Sequence, residues 1–236
     1  MRLVFNAVAL FVLTIFWSSV AILGFWISPR RVTYAVGRIW GRQVLAVTGV
    51  EVVVTGAEGL DLSRGYLLVA NHTSHYDAIA LYGYLPVPTR FVAKHTLGYI
   101  PIFGWVLSMG AAVMIDRRDR KRAVASIARA SRDLAAGGTI AFFPEGTRTE
   151  EGILGPLKKG AFHLATATGA PILPVGVRGA GRVLPVGDWR VRGGRIHLAL
   201  GDPIETEGYP DDDEGRQALS KAVSEALRSL MGAQTS

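Results

Sequence analysis

Tyr66-Leu67-Leu68-Val69-Ala70-Asn71-His72-Thr73-Ser74-His75-Tyr76-Asp77-Ala78-Ile79-Ala80-Leu81-Tyr82 decides how the chain is read. Its first five residues are apolar and read as a buried strand, and from Ala78 the stretch reads as the opening of a helix. The junction carries a histidine and, five positions on, a carboxylate. Asp77 can accept one imidazole N–H of His72, fix its tautomer and stabilise the imidazolium that forms when the other nitrogen takes a proton. Five residues span about 140° of helical rotation, so the two side chains cannot face each other within one helix. The pairing therefore needs His72 in the turn and Asp77 in the first helical turn. The same letters also fit a capping box, with Ser74 as N-cap and Asp77 at N3, in which the carboxylate only ends a helix. With five His and ten Asp, a chance His-x4-Asp is expected about 0.2 times. The pair alone leaves both readings open.

Outward from this stretch, short apolar runs alternate with helical patterns. Strands are expected over residues 50–54, 66–70, 90–93, 112–115, 139–143, 172–177 and 195–200. Helices are expected over 74–85, 104–109, 118–136, 161–168 and 212–231. Strands separated by helices predict an α/β domain with a mostly parallel or mixed central sheet flanked by helices. Ligands in such sheets bind near the carboxyl ends of strands.

The chain before residue 49 differs. Between Arg2 and Arg30 there is no charged residue, and residues 3–27 are long enough to cross a hydrocarbon core of ~30 Å. A cleaved signal peptide is the competing reading, against which stands the length of the apolar run. Residues 32–47 form a second helical pattern, an apolar stripe with Arg31, Arg38 and Arg42 beside it. Residues 1–48 are thus expected to be an N-terminal helical hairpin that associates with a membrane, and 49–236 the α/β domain. If the first helix spans, its following arginines place the remainder on the cytoplasmic face. The hairpin could also lie in the interface without crossing. Hydrophobic residues make up 49% of the chain and mean hydropathy is +0.27, high for a soluble protein. There is no cysteine, which excludes disulfides, thiol nucleophiles and Cys-based zinc sites. The net charge of +7 is concentrated in the middle: residues 61–200 carry 18 basic and nine acidic side chains. Such a balance suits anionic lipid or a phosphorylated substrate, and no nucleic-acid motif is present.

Several cations follow expected strands. Phe143-Pro144-Glu145-Gly146-Thr147-Arg148 fits a type I turn, in which turn amides, the Thr147 hydroxyl and the Arg148 guanidinium could converge on a phosphate. Arg117, Lys94 and the pair Lys158-Lys159 invite the same reading, with a solvated basic surface as the alternative for each. Glu145 is out of place in a bare phosphate site. A serine hydrolase would need a Gly-x-Ser-x-Gly elbow, which the sequence lacks.

In order along residues 65–180, the blocks Asn71-His72-Thr73-Ser74-His75-Tyr76-Asp77, then Lys94 through Ile115-Asp116-Arg117, then Phe143-Pro144-Glu145-Gly146-Thr147-Arg148, then Pro171-Ile172-Leu173-Pro174-Val175 resemble the glycerolipid acyltransferase family, in its 1-acyl-sn-glycerol-3-phosphate (lysophosphatidate) acyltransferase branch. The resemblance implies a direct acyl transfer from acyl-CoA or acyl carrier protein to the free hydroxyl of lysophosphatidate, giving phosphatidate. His72 would act as general base and Asp77 would orient it. Arg117, Glu145, Gly146, Thr147 and Arg148 match family positions linked to the glycerol phosphate, with Lys94 and Lys159 as helpers. No cofactor and no metal are implied. His75 falls at a variable position and is expected to support structure. Other lysolipid or glycerol-3-phosphate acceptors, and a lipid-binding relative without turnover, are the alternatives; an intact His–Asp pair disfavours the last, since a binder needs no base.

Overall fold

The computed structural model describes residues 2–115 and 120–232. All seven expected strands are present, as β1 (Val50–Thr55), β2 (Leu67–Ala70), β3 (Thr89–Lys94), β4 (Ala112–Ile115), β5 (Thr139–Phe142), β6 (Ile172–Arg178) and β7 (Gly194–Leu200). They form one sheet in the order β1-β7-β6-β2-β5-β3-β4. Neighbours run parallel except β6 and β7, whose antiparallel register pairs Gly176 with Ala199. The sheet is therefore mixed, with β1 and β7 reversed relative to the other five strands.

β2 lies at the centre and shows why its sequence is uniformly apolar. Leu67 and Val69 enter one core, with Phe162, Leu164, Leu219 and Leu227 of α6 (Gly160–Thr168) and α8 (Asp213–Gly232). Leu68 and Ala70 enter the other, with Leu45, Tyr76 and Leu81 of α2 (Pro29–Val47) and α3 (His75–Tyr84). Alternate side chains point to opposite faces, and both faces here are covered by helices. Helix α5 (Arg120–Ala135) closes the first layer beside β4 and β5, and the four-residue α7 (Ala180–Val183) follows β6.

The expected helix over 104–109 is instead a short α4 (Phe103–Val106) that widens into a single looser turn over Leu107–Ala111. Gly110, at φ 132°, ends that turn and releases the chain into β4. A 3₁₀ turn at His95–Tyr99 and helix α7 were not anticipated, because neither is long enough to show a hydrophobic period.

At the N-terminus α1 (Arg2–Gly24) and α2 form an antiparallel hairpin. Two indoles hold it: Trp17 Nε1 donates to Gln43 Oε1 at 2.7 Å, and Trp40 Nε1 donates to Thr14 Oγ1 at 3.1 Å. Val4, Phe5, Val8, Phe11, Val12 and Phe16 on the other side of α1 are exposed. Helix α2 in turn packs on α3. Arg42 Nε donates to Gly83 O at 2.9 Å, and its guanidinium lies 5.1 Å from the Tyr84 ring centre. The approach is close because position 41 has no side chain: a Cβ there would meet Ile79 O at 2.9 Å and Gly83 N at 3.0 Å.

That contact gives a test in which two effects oppose. Alanine is about 1 kcal/mol better than glycine inside a helix. Forcing extra volume against main chain costs ~1–3 kcal/mol. Gly41→Ala is expected to lower the thermal unfolding temperature of the detergent-solubilised protein, with packing overriding propensity; an unchanged or raised midpoint would show that α2 and α3 are not this close.

Candidate active site

The site is built where β2 hands over to α3. The two readings of Asp77 turn out to be one geometry. Asp77 Oδ2 accepts from His72 Nδ1 at 2.8 Å, from Thr73 N–H at 2.7 Å and from Ser74 N–H at 2.8 Å. The last of these, with Ser74 Oγ accepting from the first turn of α3, is the capping box. The carboxylate therefore caps α3 and orients the imidazole at once. It is 0% exposed, whereas the His72 side chain keeps 19% of its surface. With Nδ1 engaged as donor, Nε2 is the lone-pair nitrogen.

The main chain of His72 is held on both sides by the Phe143–Arg148 loop and its continuation. Glu145 Oε1 accepts from His72 N–H at 2.8 Å, and Thr149 N–H donates to His72 O at 2.8 Å. The other Glu145 oxygen accepts from Gly155 N–H at 3.1 Å. The expected turn is there, with Gly146 N–H donating to Phe143 O at 3.1 Å and Gly146 at φ 71°. Asn71, at the end of β2, reaches across to β6: its Nδ2 donates to Val177 O at 2.8 Å and Val177 N–H donates to its Oδ1 at 2.7 Å. The imidazole stacks on Phe143 with ring centres 4.2 Å apart and planes inclined by 17°.

From that stack a run of rings, Phe143 to Phe91 at 5.9 Å and Phe91 to Tyr82 at 4.4 Å, leads into a cavity of about 1090 Å³. The volume is at the upper end of the ~300–1,000 Å³ usual for ligand pockets. The walls are mostly apolar, from α1, α2, α3, α4 and the strand ends, and include Trp40, Ile79, Phe103 and Leu107. His72, Lys94, Gly146, Thr147, Arg148 and Lys158 also line it. Arg148, Lys94 and Lys158 form no ion pair with the described residues.

Of the residues singled out in the sequence, the structure gathers His72, Asp77, Gly146, Thr147, Arg148 and Lys94 at one place. Glu145 is turned inward, 3% exposed, with both carboxylate oxygens on main-chain amides. Lys159 points away from the cavity toward Asp213, 3.4 Å from its Oδ1, and it is Lys158 that faces the cavity. Arg117 lies outside the described residues. His75, expected to be structural, lines the cavity. Sequence reading missed the contacts of Asn71 and Thr149, and Phe143 as the ring stacked on the histidine. A polar residue at the end of a wholly apolar strand and an acid inside an expected anion-binding turn were the available signals.

An acid-oriented imidazole beside cations that form no ion pair among the described residues, at the head of a mostly apolar cavity, has the parts that general-base chemistry on an amphiphilic anion would need. The family model described as Acyltransferase matches residues 51–178, which include every one of these elements except the helical hairpin, and the chain belongs to that family. It is 33% identical over 175 residues to a chloroplastic 1-acyl-sn-glycerol-3-phosphate acyltransferase of Brassica napus, covering 72% of this chain and 50% of the relative. It is 31% identical over 184 residues to the 1-acyl-sn-glycerol-3-phosphate acyltransferase of Pseudomonas aeruginosa, covering 78% of this chain and 68% of that one. The chain thus spans about half the length of the plant relatives it matches. The crystal structure of the 1-acyl-sn-glycerophosphate acyltransferase PlsC from Thermotoga maritima superposes with a TM-score of 0.84 at 25% identity, covering 100% of this chain and 97% of that one.

Partial desolvation in the cavity wall, then the positive charges of Arg148 and His72, lower the His75 pKa, and the Asp77 charge opposes them only in part. The folded state therefore binds fewer protons than the unfolded state in the window just below the ordinary imidazole value of about 6.5. Stability then rises with pH through that window and is complete above it. His75→Gln is expected to flatten this dependence: the loss of denaturation free energy between pH 7 and pH 5 should be smaller in the variant. An identical slope in both proteins would remove His75 from the cavity wall.

Proposed function

We propose that this protein transfers a fatty acyl group from the thioester of acyl-CoA or acyl carrier protein to the free hydroxyl of lysophosphatidate, forming phosphatidate and a free thiol. The observation that carries the reading is the position of His72: its Nδ1 is held by buried Asp77, and its ring stands where the apolar cavity meets Arg148. The relatives' names give the acceptor class, and the site has the parts that such an acceptor needs.

In this mechanism His72 Nε2 takes the proton of the glycerol hydroxyl as its oxygen attacks the thioester carbonyl. Collapse of the tetrahedral intermediate breaks the C–S bond, and the imidazolium returns the proton to the departing sulfur. The proton that leaves the hydroxyl thus ends on the thiol, and an oxygen ester replaces a thioester with no redox change. Asp77 stabilises the transient imidazolium. Arg148 binds the phosphate through its paired guanidinium donors, with the Gly146 and Thr147 turn, Lys94 and Lys158 beside it. The apolar cavity takes an acyl chain.

The substrates also account for the two-part chain, residues 1–48 as membrane-associating helices and 49–236 as the catalytic domain. Helix α1, 23 residues long, measures about 34 Å. It buries Asn6, Ser18 and Ala21 against its own protein and exposes its phenylalanines and valines. Because its inner face packs on α2 and α4, the reading adopted is a helix lying along the domain with its outer face in the lipid and the arginines of α2 near the headgroups. The catalytic domain then sits on the cytoplasmic face, where acyl thioesters are made and lysophosphatidate is reached from the bilayer.

With lysophosphatidate and acyl-CoA as substrates, His72→Ala is expected to lose thiol release by roughly 10²–10⁴-fold. Arg148→Ala is expected to raise the KM for lysophosphatidate roughly ten- to a hundredfold, the cost of one charged hydrogen-bonding partner. Thiol release without any acceptor would instead make the protein a thioesterase. In flotation assays with anionic vesicles, replacing Phe5, Phe11 and Phe16 together by serine should abolish or sharply reduce binding; undiminished flotation would exclude α1 as the lipid contact.

A further inference from the structure

Glu151 lies beyond the motif loop and does not line the cavity, yet it makes contacts that its position in a surface loop would not suggest. Its Oε1 accepts from Gly179 N–H at 2.5 Å, and its Oε2 accepts from Gly181 N–H at 2.8 Å. The same Oε2 stands 3.4 Å from Thr73 Oγ1. Thr73 Oγ1 is in turn 3.3 Å from Asp77 Oδ1. The approach depends on glycine at 181, where a Cβ would meet Glu151 Oε2 at 2.7 Å and Thr73 Cβ at 3.3 Å.

We infer that Glu151 is a positioning residue for the His72–Asp77 pair, acting through the Thr73 hydroxyl that it shares with Asp77. The inference rests on the reading of His72 as a base. Thr73 has one hydroxyl proton and two carboxylate oxygens within reach of it. Oδ2 of Asp77 already has three donors, while Thr73 Oγ1 is the partner recorded for Oδ1. When the hydroxyl turns to Glu151, Oδ1 loses its donor and the Asp77 charge is less satisfied, so it attracts an imidazolium on His72 more strongly. Glu151 also contributes its own charge. Two carboxylates joined by one hydroxyl, Asp77 fully buried and Glu151 partly, both favour the protonated ring that forms during the reaction. The other groups near His72 are Glu145 on its main-chain N–H, the Phe143 ring stacked on it, and His75 and Arg148 in the same cavity wall.

A role confined to holding α7 would lower activity at every pH alike. Positioning of the base moves the pH profile. In the full-length protein in mixed micelles, Glu151→Gln is expected to shift the acid limb of kcat/KM to lower pH by about half a unit, because a nearby negative charge has been removed. Glu151→Asp keeps the charge and should shift the limb less than Glu151→Gln does, whatever the rate. Thr73→Val removes the donor to Asp77 and should shift the limb in the opposite direction, to higher pH. The midpoint of the His72 ring ¹⁵N resonance, identified by its absence in His72→Gln, should follow the same order without any substrate. An inactive wild type would therefore refute the acyltransferase reading and leave this test intact. Coincident midpoints in wild type and Glu151→Gln, or an equal shift in Glu151→Asp, would overturn the inference. Should Glu151→Gln fail to fold, an unmoved midpoint in Thr73→Val overturns it alone.

Discussion

One carboxylate oxygen, Asp77 Oδ2, accepts the His72 ring and two main-chain amides of the turn that carries it. A fully buried carboxylate is costly unless its charge is met by donors. Here the donors come from the turn, the helix start and the histidine, so satisfying the acid fixes all three at once. The turn in turn is placed by β2, whose four residues are fixed in register between β5 and β6. Asn71 extends that registration one residue past the last strand residue by bonding both main-chain groups of Val177. The position of the imidazole is therefore set by the sheet rather than by a mobile loop.

The segment from Phe143 to Glu151 performs the complementary task. Phe143 stacks on the imidazole, Glu145 and Thr149 grip its main chain, and Arg148, with no ion pair among the described residues, lines the cavity. The acids Glu145 and Glu151 face inward onto amides, where their charge is satisfied, and the arginine faces the space that a phosphate would fill.

The cavity joins two unlike environments. At one end are the histidine and the cations; from there the wall becomes aromatic and aliphatic and ends among α1, α2 and α4. The same helices carry the exposed apolar surface. The close glycine contact of α2 on α3 ties that hairpin to the helix that Asp77 caps.

The sequence by itself determined the seven strands, the mixed α/β class, the apolar first helix and the His72–Asp77 pair, because each rests on local periodicity or on spacing along a few residues. It also placed Arg148 in a turn after a strand. It did not separate the capping box from the catalytic pair, since both use the same carboxylate and differ only in where a ring points. Tertiary structure put the cap and the ring contact on the same carboxylate, and it decided which acids face inward: Glu145 meets His72 across 73 positions and Glu151 meets Thr73 across 78. It also chose Lys158 over Lys159 and moved His75 into the cavity wall. Such choices depend on the direction of a side chain relative to strands that are distant in sequence, and a composition or a spacing carries no record of that direction.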